Sequence, residues 1–166
     1  MLSFPQAQPP KAWVVRPASA DDAPALAPLC ADHAAYEQIP FDAAGHAQRL
    51  AAALAAGRLQ AWLALKAGQA VGYASATQDY ATLAARPFVH LDCLYLTPEA
   101  RGQGLGLALM DAVVQAARSL GCTQLQWQTP VWNEAALRFY DRLGATRLSK
   151  QRYTLWCGEN PGGAGG

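Results

Sequence analysis

The sequence predicts an α/β sandwich in one domain, and three observations support this. Short apolar, strand-like runs alternate with longer runs of helical spacing. The length of 166 residues suits one domain, and a hydrophobic content of 52% is enough for a core. We expect this domain over residues 12–157, after a flexible leader over residues 1–11 and before a glycine-rich tail over residues 158–166.

The first half predicts two helices and three strands. A strand is expected over residues 12–16, followed by a helix over 19–36 with leucines at helical spacing. An alanine-rich helix is expected over 41–56. Two further strands, 60–66 and 70–77, flank an Ala-Gly-Gln turn and so predict a hairpin.

The second half predicts a strand over 89–96, which Pro98 ends, and a helix over 104–120 with one apolar face. A strand is expected over 124–129 and a helix to Leu143, capped by Asn133. The last segment, 145–157, is expected to hold a final strand or hairpin.

Composition excludes several classes of function. A net charge of +1 gives no electrostatic argument for nucleic acid or an anionic membrane surface. Apolar runs are too short to span a bilayer, and residues 1–11 lack the apolar core of a signal peptide. The four cysteines are widely spaced, which is typical of reduced thiols and not of a disulfide frame or a zinc site. We therefore expect a cytoplasmic protein without a bound metal.

The most informative stretch is residues 101–106, Arg-Gly-Gln-Gly-Leu-Gly, between a strand-like run and a helix-like run. A glycine loop at a helix N-terminus aims backbone amides at phosphate, because no Cβ blocks the approach. Arg101 adds a charge whose planar fork suits phosphate oxygens. The loop therefore predicts a phosphate-bearing ligand.

Two familiar phosphate loops fit poorly. A P-loop ends in Gly-Lys-Ser/Thr, but Gly106 is followed by Leu107 and Ala108. A dinucleotide fingerprint wants a small residue where Leu107 stands, and an acidic residue about 20 positions later. Residues 121–124, Gly-Cys-Thr-Gln, offer no acid.

A third pattern fits: Arg101-x-x-Gly104-x-Gly106 resembles the acyl-CoA pyrophosphate loop of the GNAT superfamily of N-acetyltransferases. A second block, residues 133–145, resembles the Asn-x-x-Ala-x-x-Phe-Tyr helix of the same superfamily. The 26 residues between Gly106 and Asn133 allow one helix and one strand. The resemblance covers residues 14–155 and implies a GNAT fold, with a mixed, mostly antiparallel sheet flanked by helices. In that fold the strand ending at Leu96 splays from the following strand, and acyl-CoA lies in the gap.

The resemblance implies an acetyl-CoA-dependent N-acetyltransferase in which an amine attacks the thioester directly. Backbone groups of the strand, the glycine loop and the start of the last helix are then expected to hold acetyl-CoA. These residues are Leu94, Tyr95, Leu96, Arg101, Gly102, Gln103, Gly104, Leu105, Gly106, Asn133 and Ala136.

Two residues are the candidates for proton transfer. Tyr140 is the expected general acid, because a phenol is still protonated at neutral pH and can donate to the leaving thiolate. Asp92 is the expected base, directly or through water, since a carboxyl within an apolar run is costly to bury without a task or a partner. His33 and His90 are weaker candidates for the base. Cys93 has no obvious activating base and is expected to be an unreactive buried thiol.

Within the superfamily, the sequence is most similar to the diamine (spermidine/spermine) N-acetyltransferases. That similarity implies an amine pocket formed by Tyr36, Glu37, Asp92, Gln126, Trp127 and Gln128, with Glu37 as an ammonium partner. The diamine group is acidic shortly after the position of Gly144, whereas this chain has Lys150-Gln151-Arg152 there. Arg152 and its neighbours would repel a polyamine and suit a carboxylate. We therefore expect a small primary amine, amino-acid-like in preference to a di- or polyamine.

Alternatives remain open at this point. An open cleft would favour a protein or peptide N-acetyltransferase, and residues 36–45 and 78–88 are the expected loops around it. A non-catalytic acyl-CoA-binding module is the third possibility. The diamine group implies a homodimer, with residues 153–157 as a candidate interface strand.

Overall fold

The computed structural model describes residues 12–158, so the predicted leader and all of the predicted tail beyond Gly158 lie outside it. Nine helices and strands build the described part, together with short 3-10 turns at Ala20–Asp22 and Pro98–Ala100. In chain order they are β1 Trp13–Pro17, α1 Ala23–Glu37, α2 His46–Ala55, β2 Gln60–Lys66, β3 Gln69–Ala81, β4 Arg86–Leu96, α3 Leu105–Ser119, β5 Leu125–Gln126 and α4 Glu134–Arg142.

The sheet has five strands in the order β1-β2-β3-β4-β5. The first four pair antiparallel as a meander, and β5 pairs parallel with β4 after the crossover through α3. The predicted mixed, mostly antiparallel sheet with flanking helices is therefore confirmed. No helix within residues 12–158 is long and apolar enough to cross a membrane.

Each face of the sheet buries its own apolar cluster. On one face, α3 packs Leu105, Leu109 and Val113, all fully buried, against the sheet. On the other face, α1 contributes Leu26 and Leu29. The helical spacing of these side chains gives each helix one apolar stripe, and burial of that stripe holds the helix on the sheet.

A bulge in β4 positions the acid that the sequence singles out. Cys93 pairs with Ser75, and Leu91 pairs with Ala76, the next residue of β3. Asp92 therefore has no partner on β3 and is the extra residue of the bulge. Because of this insertion, Leu91 faces the α3 layer whereas Cys93 faces the α1 layer. A bulge re-aims side chains in this way, and such irregularities are common beside functional sites.

The expected loop over 78–88 is wrong. These residues form the arms of a long hairpin, since Gln78 pairs with Val89 and Ala81 pairs with Arg86. The side chains of this hairpin are mostly polar and exposed, so no apolar pattern indicated strands. The strands form nevertheless, because backbone hydrogen bonds between them do not require apolar side chains.

Other boundaries also differ from expectation. α1 runs to Glu37, and α2 begins at His46 because Gly45 takes a left-handed conformation directly before it. The strand expected over 124–129 shrinks to Leu125–Gln126.

The final strand expected within 145–157 is not formed. Across residues 145–158 the described backbone has no strand pairing. β5 pairs over only two residues and offers little edge for another strand. Tyr153 and Leu155 are consequently 89% and 87% exposed.

Candidate active site

A cavity of about 620 Å³ lies where β4 and β5 separate. The two strands pair only at Val89–Leu125 and His90–Gln126, and their continuations then diverge around the cavity. This is the splayed pair that the resemblance to the GNAT superfamily implies. Most of the predicted site residues line the cavity: Tyr36, Glu37, Asp92, Leu94, Tyr95, Leu96, Arg101, Gly102, Gly104, Gly106, Trp127, Gln128, Asn133, Ala136 and Tyr140.

Four predicted site residues lie outside the cavity lining. Gln103 accepts a hydrogen bond from Lys66 at 2.7 Å and donates to the Glu99 carbonyl at 2.6 Å, so its side chain braces the loop. Leu105 is fully buried in the core. Gln126 is exposed and donates to the Gln124 side chain, and Arg152 lies exposed in the segment without strand.

The glycine loop forms one end of the cavity. Gly102 and Gly104 have φ values of +73° and +84°, in the left-handed region where a Cβ is strained. Ala108 is the first residue of α3 to donate back into the helix, to the Gly104 carbonyl at 3.1 Å. The preceding amides of the first turn have no intrahelical acceptor and suit an anion at the cavity edge. This arrangement fits the pyrophosphate of a coenzyme A thioester.

Arg101 is held beside this loop by a hydrogen bond and by two aromatic rings, of which the Tyr95 ring has its centre 5.9 Å from the guanidinium. Its Nε donates to the Leu96 carbonyl at 3.1 Å, and its guanidinium lies 4.9 Å from the centre of the Tyr36 ring. The remaining N–H groups of the fork stay available for an anionic ligand.

Asn133 caps α4 and is buried at 8% exposure. Its Oδ1 accepts two hydrogen bonds, from the Ala136 amide at 3.2 Å and from the Tyr36 hydroxyl at 3.3 Å. With Oδ1 occupied, Nδ2 is the polar atom left for a ligand. The capping role predicted for Asn133 is therefore observed, and it leaves a donor free.

Tyr140 lies on α4 against the aromatic rings of Trp127 and Phe139, whose centres are 5.1 and 5.3 Å from its own. Burial, with smaller contributions from the charges of Glu37 and Cys93, raises the pKa of Tyr140 to about 12. The phenol is therefore fully protonated at neutral pH and can serve as a proton donor. Its hydroxyl accepts or donates no hydrogen bond among residues 12–158, which leaves it to a ligand.

Two carboxylates share the cavity wall with Tyr140. Asp92 projects from the β4 bulge and is exposed to the cavity, so the expectation that it is a buried carboxyl needs correction. The bulge removes Asp92 from both packed faces of the sheet, and within residues 12–158 its carboxylate accepts one hydrogen bond, from the Cys93 thiol at 3.6 Å. Glu37 lies at the end of α1, where it also affects the pKa of Tyr140.

Of the histidine and cysteine candidates, His33 lines the cavity, His90 does not, and Cys93 is a neutral thiol at neutral pH. His33 contacts Glu37 Oε1 at 3.3 Å. Burial and the neighbouring Asp92 charge raise the pKa of Cys93 to about 12, so this thiol is unreactive at neutral pH.

Sequence reasoning missed several lining residues, including Leu91, Thr129, Phe139 and Arg142. Phe139 belongs to the Phe-Tyr pair of the second block, so that block could have indicated it. Arg142 is a cation on the cavity rim that no pattern singled out, since its position depends on where α4 packs.

Comparison with known proteins places these features in a family. Residues 26–145 match the model of the acetyltransferase (GNAT) family. A thialysine N-epsilon-acetyltransferase of Bos taurus is 36% identical over 80 residues, which cover 48% of this chain and 46% of that protein. A phosphinothricin N-acetyltransferase of Alcaligenes faecalis is 36% identical over 108 residues, covering 62% of this chain and 54% of that protein. The matches thus span about half the length of these relatives.

Solved structures agree on the fold. An aminoglycoside N-acetyltransferase in complex with CoA superposes with a TM-score of 0.76 at 19% identity, covering 93% of this chain and 99% of that one. At this identity the likeness shows the fold alone. The match over residues 26–145 establishes that this chain belongs to the acetyltransferase (GNAT) family.

Proposed function

We propose that this protein transfers the acetyl group of acetyl-CoA to the primary amine of a small, amino-acid-like molecule. One observation carries the proposal: a single cavity holds a glycine loop at its edge and Tyr140, Asp92 and Glu37 on its walls. Such a site can bind an acyl-CoA, attract an ammonium group and supply a proton to a leaving thiolate.

The chemistry follows from the amine. An alkyl ammonium has a pKa of about 10.4, so only about 0.1% is neutral near pH 7.4. Asp92, directly or through water, takes the proton that the ammonium must lose, while Glu37 contributes negative charge beside it. The amine nitrogen then forms a bond to the thioester carbonyl carbon, and main-chain groups of β4 along the splayed edge stabilise the oxyanion.

The leaving group completes the cycle. When the carbon–sulfur bond breaks, the thiolate takes the hydroxyl proton of Tyr140. Because the phenol has a raised pKa, it reaches this step protonated. The phenolate regains its proton from the attacking nitrogen, which loses its second proton as it becomes an amide, and Asp92 releases the first proton to solvent.

Two observations support an amino-acid-like substrate: the charged residues of the cavity and the substrate for which a related protein is named. The sequence argument used Arg152, which lies outside the cavity, but Arg142 lines the cavity together with the carboxylates of Asp92 and Glu37. A substrate that carries both an ammonium and a carboxylate complements such a mixture better than a polycation does. Thialysine is itself an amino acid, and an acetyltransferase named for it is among the relatives.

A panel of acceptors tests this proposal. Thiol release from acetyl-CoA is measured with lysine analogues, polyamines, aminoglycosides and peptide N-termini. We expect amino-acid amines to give the highest kcat/KM. Better turnover of spermidine would contradict the substrate class, and turnover of peptides alone would favour a protein acceptor. Tight acetyl-CoA binding without turnover of any amine would favour a non-catalytic module.

We propose a homodimer as the working assembly. The segment after α4 exposes apolar side chains, with Leu148, Tyr153 and Leu155 each at least 75% exposed. An apolar groove lined by Met110, Val114 and Leu125 lies beside the short edge strand β5. A second copy that paired its segment with this edge would cover both surfaces.

A further inference from the structure

Three side chains link the cavity wall to the interior of the sheet: Glu37 and His33 on α1, and Tyr73 on β3. His33 Nε2 lies 3.3 Å from Glu37 Oε1, and His33 Nδ1 lies 3.0 Å from the Tyr73 hydroxyl. Glu37 and His33 line the cavity, whereas Tyr73 is buried at 3% exposure. The three groups form one chain from a buried phenol to a carboxylate that faces ligand.

The partners of His33 determine its tautomer. An ionised carboxylate only accepts, so Nε2 must carry a proton to bond Glu37. Burial raises the pKa of Tyr73 far above its usual range, and the phenol therefore keeps its proton. The thiols of Cys30 and Cys93 also lie beside this phenol, but sulfur is a weak acceptor. The Tyr73 proton is consequently donated to His33 Nδ1, which leaves Nε2–H for Glu37.

The ring of His33 is also fixed in orientation. It stacks on the Tyr95 ring at a centroid distance of 5.1 Å and an interplanar angle of 21°. Since Glu37 is four residues after His33 on the same helix, backbone geometry places the two side chains on one face. One oxygen of Glu37 is thus engaged, and Oε2 remains for a cation.

We propose that His33 is a positioning residue, which holds the Glu37 carboxylate ready to bind the ammonium group of the acceptor amine. Tyr73 selects the His33 tautomer that can do so. The inference rests on the proposed function, because it assigns the ammonium subsite of that reaction. It predicts that the hydrogen bonds among Glu37, His33 and Tyr73 affect the binding of the amine and leave the affinity for acetyl-CoA unchanged.

Kinetics test the positioning role with matched substitutions. His33→Leu is expected to raise KM for the amine about tenfold, with KM for acetyl-CoA within about twofold of wild type. His33→Gln keeps a donor near the Nε2 position and is expected to recover most of the loss. His46→Gln, the same change at the start of α2 outside the cavity, is the control and should change neither constant.

A second background separates positioning from general packing. In Glu37→Gln the charge that His33 positions is gone, so adding His33→Leu should raise KM for the amine by less than about twofold further. A full tenfold addition in this background, or an equal rise of both KM values in His33→Leu, would overturn the inference. If the wild type acetylates an amine and either of these outcomes is observed, only the positioning role of His33 is contradicted. If the wild type acetylates no amine, the proposed function itself is contradicted.

Nitrogen-15 NMR tests the hydrogen-bond chain without any turnover. Two-bond proton–nitrogen spectra, assigned to His33 by comparison with His33→Gln, should show a protonated Nε2 and an unprotonated Nδ1. Tyr73→Phe should lower the share of this tautomer without abolishing it, because Nδ1 then has no donor while the Glu37 carboxylate still accepts from Nε2–H. A wild-type spectrum dominated by the Nδ1–H tautomer would overturn the inference.

Discussion

The Tyr36 hydroxyl donates a hydrogen bond to Asn133 Oδ1 at 3.3 Å and so joins the end of α1 to the start of α4 across the cavity. The two residues are 97 positions apart in the sequence. Tyr36 also lies under the Arg101 guanidinium and against the Trp132 ring, 5.7 Å between centres. A residue expected to bind the amine therefore also orients two groups expected to bind acetyl-CoA.

Removing the Tyr36 hydroxyl should weaken the binding of acetyl-CoA. Tyr36→Phe frees Asn133 Oδ1 from one of its two donors, so the side-chain amide can turn and Nδ2 loses its fixed direction. A net hydrogen-bond contribution of about 1 kcal/mol predicts a dissociation constant about fivefold higher. Isothermal titration calorimetry with acetyl-CoA measures this change.

The matched control for that measurement is Tyr80→Phe. Tyr80 is 60% exposed on the hairpin and does not line the cavity, so loss of its hydroxyl should leave the affinity unchanged. Equal affinities of wild type and Tyr36→Phe would show that the bond to Asn133 does not position the amide for ligand.

Tyr140, the proposed general acid, should keep its proton up to about pH 10. Burial raises the pKa of Tyr140 to about 12, and the donor is therefore lost only as the pH rises through that value. An ordinary phenol, with a pKa of about 10, would be half ionised by pH 10. The rate constant kcat is expected to hold a plateau between about pH 8 and pH 10, measured as thiol release at saturating substrates. A fall in kcat across that range that is absent in Tyr140→Phe would contradict this assignment.

Acid should weaken the link between β1 and α1. Arg16 donates to both oxygens of Asp22 at 2.9 and 2.7 Å, and these bonds hold the pKa of the Asp22 carboxyl well below its usual range. Because the folded pKa is depressed, the stabilisation is present above the unfolded pKa of about 3.9 and is lost as the pH falls through the folded value.

Asp22→Asn measures this contribution. Arg16 is 43% exposed, so solvent screening limits the expected loss of unfolding free energy to about 0.5–1 kcal/mol at pH 7. The difference between wild type and variant should shrink below about pH 4, where the carboxylate is neutralised in the unfolded chain. Urea unfolding at pH 7 and pH 3 checks it, and a difference that grows toward acid would have the wrong sign.

The exposed apolar segment should carry the proposed dimer contact. Replacing Tyr153 and Leu155 with Asp puts charge where a second copy would pack, and so should shift the protein from dimer to monomer. Sedimentation velocity at micromolar concentration reports the mass directly. Replacing Leu83, which is fully exposed at the hairpin tip, with Asp is the control and should leave the mass unchanged. A wild-type protein that sediments as a monomer would contradict the proposal.

The conformations of the glycine loop and of the start of α4 could be predicted because they depend on local backbone geometry. A run of glycines before a helix, or an Asn that caps a helix, adopts the same local conformation whatever the surrounding fold. The cavity lining by Gly102, Gly104 and Asn133 therefore follows directly from the sequence pattern.

Features that depend on partner strands could not be predicted in this way. The bulge that exposes Asp92 exists because β3 supplies no residue opposite it, and no pattern within β4 reveals that register. The apolar run at Tyr153 likewise predicted a strand, but a strand needs an edge, and β5 pairs over only two residues. For the same reason Arg142 was missed and Gln126 was expected in the amine pocket although it does not line the cavity, since the positions of these side chains depend on how α4 and β5 pack.

The most direct test of the acetyltransferase assignment is to incubate the protein with labelled acetyl-CoA and thialysine and to identify the product by mass spectrometry. Wild type should form N-acetylated thialysine, and Tyr140→Phe should retain acetyl-CoA binding but lose about a hundredfold in kcat. The claim that this cavity catalyses acetyl transfer would be contradicted if no label reached thialysine and if wild type and Tyr140→Phe gave the same rates with every acceptor of the panel.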